Sequence, residues 1–351
     1  MIFLKKILKF FRISSIIIFI SFIMSLFIDF FFGNYILKKL DPYLSNTDFY
    51  ERLIRVDHSF YHHTLKKNIE YKKAQGFGKY YTLCTDNHGF KYKCNSNRGK
   101  KFKVAFLGDS FVEGVALNYQ DTFVGKFENE KKYSIANLGV TSYAPNIYLS
   151  KMKYLLDNGY KFEHLILFVD LSDLYDDNTF YKLNKDLSVT EKNSEAKNLK
   201  RRKFLRYNFP LTNYYLYVIK MNNRLNKAVP PLRSQNPIFS EKATKKAQWS
   251  YQSTDIIDGY DEPISKTQNE MIQVISKLFK LLKENQIKLS LAVYPWPHQL
   301  QHDKLNSKHV KMWESFCEGK CHKFINFFPY FFEEKEKTSF LEVYRKYYFW
   351  N

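Results

Sequence analysis

Apolar residues run almost unbroken from Ile13 to Phe32, and only Asp29, near the far end, is charged. About 20 such residues span the hydrocarbon core of a bilayer, so the pattern predicts one transmembrane helix over residues 13–33. Lys5, Lys6, Lys9 and Arg12 precede the run. They orient residues 1–12 as a cytoplasmic tail, although Lys38 and Lys39 weaken the asymmetry. A cleaved signal peptide is the rival reading, but the run is long for one and no A-x-A-like site follows it. The expectation is therefore a single-pass inner-membrane anchor. Everything after residue 40 then lies outside the cytoplasm, in a periplasmic or equivalent space.

From residue 101 the pattern alternates between two periods. Lys103–Leu107, Tyr133–Leu138, His164–Val169, Lys288–Tyr294 and Lys323–Phe327 are short apolar runs. Continuous runs of this length suit parallel strands buried on both faces. Helical patterns lie between them. Ser265-x-x-Gln268 reads as a capping box, with Met271, Ile275, Leu278 and Leu282 on one face behind it and Asn285 as the stop. Pro145 suits the first turn of another helix, with Gly159 as its stop. This alternation predicts an α/β fold, a three-layer doubly wound parallel sheet over residues 101–351. Residues 178–262, polar and basic with Pro210, Pro230, Pro231 and Pro237, read as an insertion. Residues 34–100 read as a juxtamembrane segment with a hairpin about Asn87-His88-Gly89. The sequence contains no internal repeat.

Composition narrows the class. A chain of 351 residues that is 45% hydrophobic can bury a sizeable core. The net charge of +20 raises a nucleic-acid reading. Scattered lysines, with no zinc-finger spacing, RNA-binding aromatic signature or basic helix, argue against it. The same basic surface suits anionic lipid or an acidic glycan. Four cysteines form two local pairs, Cys84 with Cys94 and Cys317 with Cys321. In an oxidising compartment these predict two short disulfides. A zinc site with His322 is the sharper reading, but C-x-x-C spacing is absent.

The candidate chemistry sits at the end of the first strand. Gly108-Asp109-Ser110-Phe111 follows KVAFL directly, so Ser110 lies at a carboxyl edge of the sheet, where sites form in doubly wound folds. The stretch from Leu107 to Gly114 resembles the first block of the SGNH, or GDSL-type, hydrolase family. That resemblance implies a nucleophilic Ser110 whose own N–H faces the oxyanion. The family's second block, N-x-G-x-x-G, is matched by Asn137-Leu138-Gly139-Val140-Thr141-Ser142, with Ser142 in place of the last glycine. Ser142 then serves through its backbone N–H, if serine can adopt the required dihedrals; otherwise it caps the helix at Pro145. The third block, G-x-N-D, corresponds to Asp170-Leu171-Ser172-Asp173. Its oxyanion asparagine is replaced by Ser172, whose hydroxyl has shorter reach. Asp170, Asp173, Asp176 and Asp177 form an acidic cluster, read as solvated carboxylates or, less simply, as a cation site.

The family's last block, Asp-x-x-His before a closing helix, is absent after Phe327. The expectation is a chain truncated at its C-terminus, with the base and its Asp just beyond Asn351. The rival base is His298 in Tyr294-Pro295-Trp296-Pro297-His298, although Pro295 stands where the orienting Asp belongs and the segment also suits a substrate wall. His58, His62 and His63 suit interfacial packing. The resemblance implies a serine esterase or O-acyltransferase acting on an ester-bearing small molecule or cell-envelope glycan, with no cofactor, no metal and no nucleic-acid partner. The alternative is a noncatalytic glycan-binding module of the same fold.

Overall fold

The computed structural model describes residues 2–40, 54–76, 79–192, 204, 207–225, 241–260 and 262–347. Pro230, Pro231 and Pro237 of the insertion and the terminal residues 348–351 lie outside these. The chain divides into two compact units, Met1–Glu51 with Ala196–Pro231, and Arg52–Glu195 with Leu232–Asn351.

The first unit contains α1 (Ile2–Leu40), one continuous helix through the apolar run, long and apolar enough to cross a bilayer. The same unit contains a second helix, Pro210–Leu225, from the middle of the insertion.

In the second unit the small strands β1 (Arg55–His58) and β2 (His62–Leu65) pair antiparallel, as do β3 (Glu70–Gly76) and β4 (Lys79–Cys84). The five predicted runs become β5 (Lys101–Leu107), β6 (Ile135–Asn137), β7 (Lys161–Val169), β10 (Lys288–Val293) and β11 (Lys323–Asn326). Strands β8 (Tyr181–Leu183) and β9 (Val189–Glu191) form a small ribbon in the insertion. These five strands, β5, β6, β7, β10 and β11, make one parallel sheet in the order β6-β5-β7-β10-β11. Counted as they occur, that order is 2-1-3-4-5, a doubly wound arrangement whose switch point lies beside β5.

Pleating sends alternate side chains to opposite faces. Ala105, Leu107, Leu165, Leu167, Leu289 and Leu291 join one core. Val104, Phe106, Ile166, Phe168 and Ala292 join the other. The helices α2 (Ser110–Glu113), α3 (Phe123–Lys131), α4 (Pro145–Asp157) and α5 (Asp173–Phe180) follow β5, β6 and β7. Further along come α6, the helix Pro210–Leu225 of the first unit, then α7 (Glu241–Gln248) and α8 (Ile264–Glu284). Met271, Ile275, Leu278 and Leu282 of α8 and Ile147 and Met152 of α4 cover the first core; Val124 of α3 covers the second.

Local signals fared unevenly. Pro145 opens α4 as expected, and Gly159 follows its end at φ +80°. The capping box at Ser265 does not form. The N-cap is Pro263, and Asp255 reaches in from the preceding loop, accepting from the N–H and hydroxyl of Ser265 at 2.7 and 2.8 Å. A carboxylate supplied by a neighbouring loop replaces the local reciprocal bonds. The segment after β11, where the sequence suggests no closing helix, forms α11 (Phe328–Lys337) and α12 (Phe340–Tyr347), after α9 (Pro297–His302) and α10 (Lys308–Cys317). Phe328, Phe332 and Val343 bury there, which the mixed acidic-basic spacing concealed. Both cysteine pairs are disulfides, with Cα separations of 4.9 Å for Cys84–Cys94 and 4.8 Å for Cys317–Cys321.

His309 on α10 is fully buried between Trp249 and Phe328, and neither ring nitrogen has a hydrogen-bond partner among the described residues. Burial lowers its pKa to about 3 from 6.5. The unfolded chain therefore binds a proton below pH 6.5 that the native chain does not, and stability falls as pH falls from about 6.5 toward 3. At pH 5 this site costs about 2 kcal/mol relative to pH 8. His309→Leu should accordingly stabilise by about 2 kcal/mol more at pH 5 than at pH 8. Chemical denaturation in detergent at both pH values measures this, and an equal gain at each would refute the assignment.

Candidate active site

Leu107, the last residue of β5, pairs with Leu167 of β7 in the centre of the sheet. Gly108 then turns the chain where no side chain fits: a Cβ there would lie 2.5 Å from Val112 Cγ2 and 3.1 Å from the Phe168 carbonyl. Asp109 caps α2 by accepting from the Phe111 N–H at 2.9 Å. Ser110 is the first residue of α2, half-buried, and its hydroxyl donates to Asp109 Oδ2 at 3.3 Å. The nucleophile candidate thus stands at the switch point on the carboxyl edge, held by a glycine turn and a capping carboxylate.

The second block is bound directly to this turn. The Val140 N–H donates to the Gly108 carbonyl at 3.3 Å, and a Cβ on Gly139 would lie 2.5 Å from the Glu113 nitrogen. Ser142 has φ +65°, the left-handed conformation that favours glycine. The helix N-cap is Ala144, so Ser142 is not the cap. Its carbonyl accepts from the Tyr181 hydroxyl at 2.6 Å. Left-handed backbone costs a residue with a Cβ about 1–2 kcal/mol. Ser142→Gly should therefore raise stability by about 1 kcal/mol and keep ester turnover, because the N–H survives. A Ser142→Gly variant without turnover would shift the role to the hydroxyl.

The third block follows β7. Asp170 is buried and accepts from the Ser172 N–H at 2.5 Å, from the Tyr294 hydroxyl at 2.7 Å and from Trp296 Nε1. Tyr294 also reaches Asp109 Oδ1 at 3.4 Å and stacks on Phe111 at 4.1 Å. The ends of β5, β7 and β10 are thereby joined through two carboxyls and one phenol. Burial, and then the Asp170 charge, push the Asp109 carboxyl up from its ordinary value.

The acidic cluster is not solvated, contrary to expectation. Asp173 takes the Asp170 N–H and the Tyr148 hydroxyl, Asp176 takes Lys246 Nζ at 2.5 Å, and Asp177 takes the Asn146 N–H. Burial raises the carboxyls of Asp173 and Asp177 well above the ordinary range. These side chains are turned inward because α5 packs under α4 and α8, which the charge pattern alone did not reveal. Among the described residues no group of three His, Cys, Asp or Glu side chains is placed to hold a metal ion.

A second layer of the site was not expected from the sequence. Glu113, wholly buried at the end of α2, is gripped by Arg55 of β1 through Nη1 at 3.0 Å and Nη2 at 2.9 Å. The Thr141 N–H and hydroxyl donate to the same carboxylate at 2.7 and 2.9 Å. Burial pushes the Glu113 carboxyl up, but Arg55, Lys91 and the Thr141 N–H outweigh it and hold it below its ordinary value. His63 Nε2 donates to the Thr141 carbonyl at 2.9 Å. Burial keeps His63 neutral, with a pKa lowered to about 3, so its Nδ1 is the acceptor for His62 Nδ1–H at 2.8 Å. Buried Lys151 donates to the Leu138 carbonyl at 2.9 Å, and buried Lys91 to the Gly114 and Leu117 carbonyls at 2.6 Å each. The backbone on either side of Ser110 is thus pinned at several points. The one sequence signal was Glu113 itself, a carboxylate three residues after Ser110 in an otherwise apolar turn.

The structure therefore brings Ser110, Ser142 and Ser172 to one edge of the sheet. His298 follows β10 on α9, is buried, and shares a hydrogen bond of 3.3 Å between Nε2 and Thr244 Oγ1 of α7. Burial lowers its pKa to about 4.

No protein-family model and no curated protein sequence matches the chain. Among solved structures it is similar to AlinE4, an SGNH-hydrolase family esterase, at 14% identity and a TM-score of 0.34, over 70% of this chain and 84% of that one. Two variants of the same esterase align over the same shares at TM-scores of 0.32 and 0.33.

Proposed function

We propose that the chain is a serine-dependent esterase or O-acyltransferase of the SGNH type, acting on acyl or acetyl esters of a cell-envelope glycan from a membrane-anchored, extracytoplasmic position. The observation that carries this reading is the pairing of the two blocks: Ser110 opens a turn at the switch point, and the Val140 N–H ties the left-handed Ser142 loop to that turn. A serine at a βα turn is common; one beside a loop bent to aim a backbone N–H is what acyl transfer requires.

In the proposed reaction Ser110 Oγ attacks the ester carbonyl, its proton passing to a general base. The N–H groups of Ser110 and Ser142 hold the oxyanion, with the Ser172 hydroxyl as a third donor. The C–O bond to the leaving alcohol breaks, and that oxygen takes the proton. Water or a sugar hydroxyl then attacks the acyl-enzyme and releases Ser110. The Pro295-to-His298 segment forms a wall of the site through Trp296, whose indole bonds Asp170. Glycan as acceptor rests on the expected location and on the basic charge of the chain.

The test is acyl-enzyme capture. An activated acetyl ester or a fluorophosphonate should label the full-length protein in detergent, and peptide mass spectrometry should place the adduct on Ser110. Glycan binding without any Ser110 adduct would favour the noncatalytic module.

A further inference from the structure

Asp29 is an uncommon residue for its position. It lies within the apolar stretch of α1, whose window Lys9–Leu37 spans 29 residues, roughly 43 Å at 1.5 Å per residue. A carboxylate in such a helix is costly unless a partner is supplied. Here the partner is a helix end. Asp29 Oδ1 accepts from the Leu211 N–H and Oδ2 from the Thr212 N–H, each at 2.8 Å. Both belong to the first turn of α6, whose N–H groups lack intrahelical acceptors and carry the positive end of the helix dipole. The carboxylate is only 2% exposed. Gly33, one turn on, lets Pro210 approach: a Cβ there would lie 2.2 Å from Asp29 Oδ1 and 2.8 Å from Pro210 Cγ. Asp29, Gly33 and Leu37, at spacings of four, are the buried positions among the described residues of α1. From Ile13 to Phe32 the rest of its described surface is mostly exposed and apolar.

The apolar surface continues from α1 onto α6. Phe30, outward on α1, meets Phe209 at 5.9 Å. Beyond it Tyr215, Leu216 and Ile219 share one face of α6 and are 71%, 61% and 49% exposed. Such a patch in water marks an interaction surface. The chain before α6 carries Lys200, Arg201, Arg202 and Lys203, and α6 itself carries Lys220 and Arg224. Cations close in sequence to an apolar helical face suit a surface that bears lipid phosphates.

We infer that α6 is a second membrane element: an interfacial helix whose Tyr215, Leu216 and Ile219 face enters the lipid beside α1, with Asp29 as the latch that joins the two. The inference rests on α1 crossing the bilayer. It gives the central part of the insertion a physical role, a lipid foot on the side of the membrane where α1 ends.

Both disulfides leave no free cysteine among the described residues, so single cysteines report cleanly. The full-length protein in lipid vesicles is labelled with an environment-sensitive fluorophore at Leu216→Cys, at Ile219→Cys, at Phe22→Cys on α1, or at Lys283→Cys on exposed α8. Lipids carrying a nitroxide near the headgroup should roughly halve the emission at 216 and 219 and leave 283 unchanged. Aqueous iodide should do the reverse. Asp29→Ala should weaken lipid quenching at 216 while quenching at 22 by a deep-placed nitroxide persists. Quenching at 22 with iodide-accessible 216 and 219 would overturn the α6 inference alone. No lipid quenching at 22 would overturn the anchor reading and the inference with it. Protection at 216 that disappears on diluting the protein into excess lipid would assign the face to a second copy instead.

Discussion

Ser110→Ala is expected to lower turnover of an activated acetyl ester by about 10³-fold or more, with little change in unfolding. The two effects separate because of how Ser110 is held. Its side chain is half-buried and makes one long hydrogen bond, 3.3 Å to Asp109. The turn around it is held by other groups: the Asp109 cap on Phe111, the Gly108 approach to Phe168, and the Val140 bond to Gly108. Removing one half-buried hydroxyl should thus shift stability by no more than about 0.5 kcal/mol, while removing the proposed nucleophile. Steady-state hydrolysis and thermal unfolding of the same preparation measure both. Full activity in Ser110→Ala sinks the nucleophile assignment. Loss of activity together with a large loss of stability would instead make Ser110 a structural residue.

Arg55→Met should be the most destabilising single substitution near the site, costing about 3–5 kcal/mol, because it strands a buried carboxylate. Glu113 is wholly buried and keeps only the Thr141 N–H and hydroxyl, with Lys91 nearby, once the guanidinium is gone. The consequence for function follows from geometry. Glu113 closes α2, Thr141 precedes Ser142, and both hang on the same carboxylate. Loosening that carboxylate frees the loop from the turn that carries Ser110, so turnover should fall with stability. Arg55→Lys keeps the charge but not the two-pronged grip, and should recover part of both. A denaturation midpoint for Arg55→Met within about 1 kcal/mol of the parent would show the pair to be worth no more than a surface ion pair, and would remove the link between β1 and the Ser142 loop.

Both expectations follow from one arrangement, a half-buried Ser110 set among buried, hydrogen-bonded polar groups. Preorganisation of this kind is what makes backbone N–H groups effective in acyl transfer, since no reorganisation is needed when charge develops on the substrate oxygen. Asp109, Asp170 and Tyr294 belong to that arrangement as well. They join three strand ends through hydrogen bonds that water does not reach.

Much of the fold was legible in the sequence, because burial on both faces of a parallel sheet leaves uninterrupted apolar runs and burial on one face of a helix leaves a period of 3.6. The five strands, the Pro145 start and the buried face of α8 follow from those periods alone. So do the long apolar helix at the N-terminus and the placing of Ser110 at a strand's carboxyl edge. Even the strain at Ser142 was posed by the motif, as a question about dihedrals. Only the tertiary structure decided which polar side chains turn inward. Asp170, Asp173 and Asp177 look like solvated charge in sequence, Arg55, His63 and Lys91 look like part of a basic juxtamembrane segment, and Lys151 looks like an ordinary helix lysine. Several of their bonds join distant segments: 13 residues separate Lys151 from Leu138, 58 separate Arg55 from Glu113, and 124 separate Tyr294 from Asp170. A hydrogen bond leaves no periodicity, and its partner's position along the chain is set by how the layers close. Asp29 and the N-terminus of α6 are a further case, 182 residues apart and joined at 2.8 Å. The sequence by itself determined where hydrophobic burial puts the backbone. The folded chain determined how each buried charge is answered, because that depends on which distant segment arrives beside it.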